Sequence, residues 1–147
     1  MDHLIPKRVT DINQITELIK TDPVRPNIPA WWRSMHIVPK GWVTEMFTID
    51  GKANVCVAHL SEIPTSEEEL QTIEFNGIAV FYTVWSHEKG MGRQVLNNTL
   101  NIISNRATNT RFITLSPKTD MATKFHLSNG AILLQQNLET NNFEYKI

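Results

Sequence analysis

The chain has a single cysteine, Cys56, among 147 residues. No internal disulfide can form, and a reducing cytoplasm is the expected compartment. Cys56 itself reads as a small buried hydrophobe rather than a nucleophile. No run of about 18 apolar residues occurs, so no segment reads as a membrane-spanning helix and no membrane partner is expected. Met1 to Arg8 lacks the apolar core of a signal peptide. Charge of either sign is not in excess: 14 Lys and Arg face 15 Asp and Glu, a formal net charge of −1. There is then no global basic field for nucleic acid, and any anion site must be local. No internal repeat, low-complexity tail or linker interrupts the chain, and its length suits one domain over residues 1–147.

Glycine is also scarce, with six in all, and two of them, Gly90 and Gly92, stand together. They sit inside the most informative stretch, Phe81 to Ile103. Phe81-Tyr82-Thr83-Val84-Trp85 is aromatic and β-branched, as strands are. Ser86-His87-Glu88-Lys89 breaks the apolar run before Gly90-Met91-Gly92. From Arg93 onward, Val95, Leu96, Thr99, Ile102 and Ile103 fall on one face of a 3.6-residue period. A strand, a glycine turn and an amphipathic helix follow from this pattern. The first N–H groups of a helix lack intrahelical partners and carry partial positive charge. Glycines let a bulky anion approach them, and Lys89 and Arg93 flank the turn. Phosphate or pyrophosphate fits such a turn, and so does a plain connection that needs glycine only for its dihedrals.

The remaining elements are read from periodicity and breakers. Thr10 to Lys20 predicts a helix, with Asp11 and Gln14 at capping-box spacing and an apolar stripe of Ile12, Ile15, Leu18 and Ile19. Pro23, Pro26 and Pro29 hold an extended loop. Ala30 to Met35 reads as a short second helix, in which one of Trp31 and Trp32 packs inside and the other is free for a groove. Trp42–Ile49 and Lys52–Ile63 read as a hairpin closed by Asp50-Gly51. Glu67-Glu68-Glu69 after Ser66 reads as a solvated loop or a helical turn. Thr72–Trp85 predicts one long strand, bent near Gly77. Arg111–Leu115 predicts a strand parallel to it, and Asp120–Ser128 a helix capped by Asn129-Gly130. Ala131–Leu138 and Phe143–Ile147 predict a closing hairpin with its turn at Thr140–Asn142.

The glycine turn is not a P-loop, which needs a glycine five residues before Gly-Lys-Ser/Thr. Nor is it a dinucleotide fingerprint, whose third glycine is replaced by Val95. The pattern Arg/Gln-x-x-Gly-x-Gly/Ala between a strand and a helix is closer. His87-Glu88-Lys89-Gly90-Met91-Gly92 resembles it, with His87 in the Arg/Gln position. That pattern is the acyl-CoA pyrophosphate loop of the GNAT N-acetyltransferase superfamily. The order of predicted elements is also similar to that superfamily over nearly the whole chain. Near the end, Thr119 to Ala131 resembles Asn-x-x-Ala-x-x-Phe-Tyr-x-x-x-Gly-Phe: Ala122, Phe125 and Gly130 match, while Thr119, His126 and Ala131 depart.

The resemblance implies an α+β fold, with a mixed sheet of six to seven strands, a splayed parallel strand pair and helices on both faces. It implies acetyl-CoA as cosubstrate. The pyrophosphate would lie at His87, Lys89, Gly90, Met91, Gly92 and Arg93, and the pantetheine arm along the backbone of Thr83 and Val84. The acceptor would be an unidentified primary amine, no metal is called for, and a homodimer is open. His126 takes the place of the family's acid tyrosine, and an imidazole titrates in a useful range. The glutamate base of some members would fall near Ile78 or Ala79, which cannot take a proton. Glu74 and His59 are the nearby candidates. These departures leave a second reading, a GNAT-like binding or assembly protein without catalysis. The short loop and Ser128-Asn129-Gly130-Ala131 also resemble small GNAT-like proteins of tailed phages linked to virion assembly.

Overall fold

A computed structural model describes residues 4–147. Strand β1 is Lys7–Arg8, followed by helix α1 (Ile12–Ile19) and a 3-10 turn at Ala30–Trp32. Strands β2 (His36–Ile37) and β3 (Gly41–Trp42) form a small ribbon of their own. Then come β4 (Thr44–Ile49), β5 (Ala53–Leu60), α2 (Glu67–Thr72), β6 (Ile78–Ser86), α3 (Met91–Ser104) and β7 (Arg111–Thr114). The chain closes with β8 (Ser116–Pro117), α4 (Asp120–Ser128), β9 (Ile132–Gln136) and β10 (Thr140–Tyr145).

Among the described residues the main sheet has eight strands, ordered β1-β4-β5-β6-β7-β10-β8, with β9 on the other edge of β10. It is one strand wider than the upper expectation, because the short β1 and β8 add to it. The sheet is mixed: β6 and β7 run parallel, from Ile78 opposite Arg111 to Phe81 opposite Thr114, and the other pairings are antiparallel. Helix α3 makes the crossover between the parallel pair, as a β-helix-β unit requires. Asp50 and Gly51 both have positive φ, which closes the β4–β5 hairpin with the twist such two-residue turns supply.

Two cores flank the sheet. Val95, Leu96, Leu100 and Ile103 of α3 pack on Phe47, Val55, Val57 and Phe81, with Phe125 of α4 against the same cluster. Ile15 of α1, Trp32 and Leu70 of α2 pack on Met46, Cys56, Ala58 and Tyr82 on the reverse face. Helices therefore cover both faces. Cys56 shares its face with Ala58 while Val55 and Val57 share the other, so strand alternation alone sorted them. Burial pushes the Cys56 thiol up to about 11, against the pull of Arg33.

Several boundaries differ from the sequence reading. The long strand does not start at Thr72: Ser66 caps α2 by accepting from the Glu69 amide, the three glutamates occupy its positive end, and β6 begins at Ile78. Ala30–Met35 shortens to one 3-10 turn, with Trp32 buried and Trp31 64% exposed. Ile12 is exposed and drops out of the α1 stripe. Thr140–Asn142 is strand rather than turn, because Asn142 is buried and its side chain donates to the Pro64 and Thr114 carbonyls.

Candidate active site

The site begins where β6 and β7 part. Between Cys56 and Val57 the β5–β6 register shifts by one residue, which leaves Tyr82 as an extra residue on β6. Such a bulge bends a strand and increases its twist. The last hydrogen bond joining the parallel pair is Leu115 N to Phe81 O at 3.1 Å. Beyond it β6 continues to Ser86. The other strand stays with β10 instead: Asn141 faces Ser116 and Thr140 faces Pro117, in the register begun by β7. The divergence opens a cleft of about 370 Å³, within the range of small-ligand sites. Its floor includes Thr83 and Val84, its far wall is Ser116 and Pro117, and Phe125 and His126 of α4 close one side. Gly92 stands at its mouth.

Gly90 has φ +84 and ends the turn as the N-cap of α3. Only glycine adopts that conformation without strain. Among the described residues no backbone carbonyl accepts from the amides of Gly92 and Arg93, whereas Gln94 N already reaches Gly90 O. The helix end thus offers free donors beside the cleft. A side chain at Gly92 would contact Ser86 Oγ at 3.6 Å and Phe125 Cε1 at 3.8 Å, so glycine holds this approach open. Met91 is half-buried and packs against the core cluster beneath α3. Lys89 is exposed, Arg93 donates to Ser128 Oγ at 2.9 Å, and His87 lies 3.2 Å from Thr21 Oγ1, outside the cleft.

His126 is 7% exposed and lines the cleft. Its ring stacks on Phe143, and its Nδ1 lies 2.8 Å from the Tyr145 hydroxyl. Asn129 Nδ2 also donates to that hydroxyl, at 3.3 Å. Burial lowers the His126 pKa to about 4, so the imidazole is neutral at ordinary pH. This corrects the expectation that it titrates near neutrality, because desolvation disfavours the cation and no carboxylate stands beside it to restore it.

Glu74 is not brought to this cleft. It is exposed, between α2 and β6, at the opposite end of the strand from Thr83. His59 is also at that far end, bonded to Glu45 and Asn109.

The sequence reading missed the side chains that shape the cleft from the reverse face. Arg25 is 8% exposed; its Nε donates to Tyr82 O at 3.1 Å and its Nη2 to Leu115 O at 3.0 Å. One guanidinium thus ties the two diverging strands at the bulge. Asp22 accepts from the Val24 amide, from Thr83 Oγ1 at 2.9 Å and from Arg33 Nη1 at 2.7 Å. The proline loop is therefore pinned by a buried ion pair under Thr83. The only signal in the sequence was charge inside a proline-rich loop, Asp22, Arg25 and Arg33. Tyr145 gave no signal, since its role depends on β10 lying beside α4.

Comparison with known proteins decides the fold. No protein-family model matches the sequence, and no curated protein does. Solved structures do match. An acetyltransferase of the GNAT family from Listeria monocytogenes superposes with a TM-score of 0.60 and 6% identity, over 96% of this chain and 100% of that one. The chain has the GNAT fold. Malonyl-CoA decarboxylase from Cupriavidus metallidurans matches with a TM-score of 0.62 and 12% identity, over 95% of this chain and 60% of that one. The PaiA N-acetyltransferase from Thermoplasma acidophilum, solved in complex with coenzyme A, matches with a TM-score of 0.50 and 11% identity, over 71% of this chain and 60% of that one. The chain thus spans about 60% of the length of two of these three proteins. In this GNAT fold the β6–β7 cleft and the Gly90 turn lie at the same edge of the sheet, next to the start of α3.

Proposed function

We propose that the protein binds acetyl-CoA in the β6–β7 cleft and transfers its acetyl group to a primary amine. One observation carries this reading: the cleft left by the parting strands runs to a helix N-terminus with free amide donors behind Gly90. An apolar channel ending at a helix N-terminus with free amides suits a long ligand with a thioester at one end and a pyrophosphate at the other. In the transfer, the amine nitrogen attacks the thioester carbonyl, the C–S bond breaks, and the proton lost by nitrogen ends on the CoA sulfur through solvent. In the tautomer whose Nδ1 accepts from Tyr145, neutral His126 serves this step as a hydrogen-bond donor through Nε2–H, toward charge that develops on the acyl oxygen or the sulfur. Its ring is fixed by Tyr145, so little reorganisation accompanies the reaction. The test is release of CoA thiol from acetyl-CoA when amines are supplied.

A second reading rests on a specific feature: no carboxylate lines the cleft among the described residues. A protein without a base near the amine could hold acyl-CoA as a binding or assembly module. In that case acetyl-CoA binds, and a broad panel of amines releases no thiol.

A further inference from the structure

A second cavity, of about 510 Å³, opens at the other end of the sheet, where β5 ends and where β6 and β7 begin. Its chemistry is unlike that of the cleft. Three of its lining residues, Arg8, His59 and Arg106, bond to Glu45, which lies behind them with its side chain fully buried. Burial alone would raise this carboxyl, yet hydrogen bonds from His59, Arg106 and Arg8 hold it down at about 2. Oε1 accepts from Arg8 Nε at 2.9 Å, Arg8 Nη2 at 2.7 Å and Arg106 Nη2 at 3.0 Å. Oε2 accepts from Arg106 Nη1 at 2.8 Å and His59 Nε2 at 2.7 Å.

That is more than Glu45 requires. A carboxylate offers about four lone-pair sites, and one bidentate arginine neutralises it. Here two guanidinium groups share one carboxylate, and both side chains line the cavity while staying partly exposed, 30% for Arg8 and 29% for Arg106. Lys40 adds a third cation at the rim, anchored to the Phe75 carbonyl at 2.9 Å. No aspartate or glutamate lines the cavity among the described residues. Three cations against one buried carboxylate make a local positive basin in a chain whose net charge is −1. The cations are also preorganised. Arg8 lies over the Trp42 ring at 4.9 Å, and Glu45 clamps both guanidinium planes, so a ligand would not need to order them. Trp42 and Phe75 supply an apolar wall beside the charges.

We infer that this cavity is a binding site for a small oxyanion, a carboxylate or phosphate group on a compact ligand, held by the outer edges of Arg8 and Arg106 and by Lys40. The site is independent of the proposed acyl transfer, since it lies at the opposite end of β6 and shares no residue with the cleft.

The experiment is a titration of the 15N-labelled full chain with inorganic phosphate and, separately, with malonate. Saturable shifts are expected for the amides of Asn76, Gly77 and Asn109 and for the Trp42 indole. The tighter of the two anions tells whether phosphate or carboxylate is the natural group. Lys40 is exposed, so Lys40→Glu leaves the fold intact, and it weakens binding by roughly tenfold. The inference is overturned if neither anion gives saturable shifts at these positions, if the shifts fall only at His87–Arg93, or if Lys40→Glu binds as tightly as the parent.

Discussion

The Tyr145 hydroxyl lies 2.8 Å from Nδ1 of His126, and this hydrogen bond holds the ring at the wall of the cleft. Burial leaves the imidazole neutral. A cationic acid is therefore not available at neutral pH.

The first prediction follows from that bond. The His126 ring should show no protonation from pH 8 down to about 5 in NMR titration, because burial holds its pKa at about 4. His126→Ala should lower kcat by about 100-fold, the usual cost of one preorganised donor, and leave acetyl-CoA affinity nearly unchanged. Tyr145→Phe should give a smaller loss, since the ring stays but loses its hydrogen-bonded anchor. An unchanged kcat in His126→Ala removes the residue from the chemistry.

The second concerns acid stability. His126 falls from its ordinary 6.5 to about 4 on folding, so the unfolded chain binds the extra proton first. Its contribution is complete above about pH 6.5 and is lost as pH falls toward 4; the gap corresponds to about 3 kcal/mol. Glu45 has the same sign, with its loss from about 4.5 to about 2. Denaturant midpoints should therefore decline in two stages below pH 6.5. His126→Phe should flatten the upper stage only.

The third tests the glycine turn. Gly90→Ala meets no neighbour within 4 Å, but its φ of +84 costs an L residue about 1–2 kcal/mol. Gly92→Ala makes only ordinary contacts, so the melting temperature should hardly move. Gly92→Val should keep the fold and abolish the acetyl-CoA-dependent thermal shift, because its branches fill the mouth of the cleft.

The fourth tests the pinned loop. Arg33 and Asp22 are both buried, 2.7 Å apart. Arg33→Ala leaves the Asp22 charge without its partner and should destabilise the protein by about 3–5 kcal/mol. Chemical denaturation of Arg33→Ala checks the magnitude. The double variant Asp22→Asn with Arg33→Met should recover part of the loss.

The parts of this molecule that local rules govern were legible in the sequence. Gly90 at a positive φ, Asp50-Gly51 in the hairpin, the Asn129-Gly130 stop of α4 and the face shared by Val95, Leu96 and Thr99 all follow from short-range sterics and periodicity. The parallel β6–β7 pair followed from the helix between its strands. What was not legible depends on residues far apart in the chain. Arg25 meets Tyr82 and Leu115 across 57 and 90 positions, and Tyr145 meets His126 through the pairing of β10. Glu74 was drawn toward the site by its place within the long strand expected from Thr72. The capped helix α2 occupies the residues up to Thr72, the strand starts only at Ile78, and Glu74 is left in solvent.

The most direct test of the account is acetyl-CoA binding to the purified protein, read as melting temperature against ligand concentration. A ligand that binds only the folded state stabilises it by mass action, by about 2.7 kcal/mol at 100 times its Kd. A concentration-dependent rise with acetyl-CoA is expected, and it is lost in Gly92→Val. No rise at millimolar acetyl-CoA, or an equal rise in Gly92→Val, would contradict it.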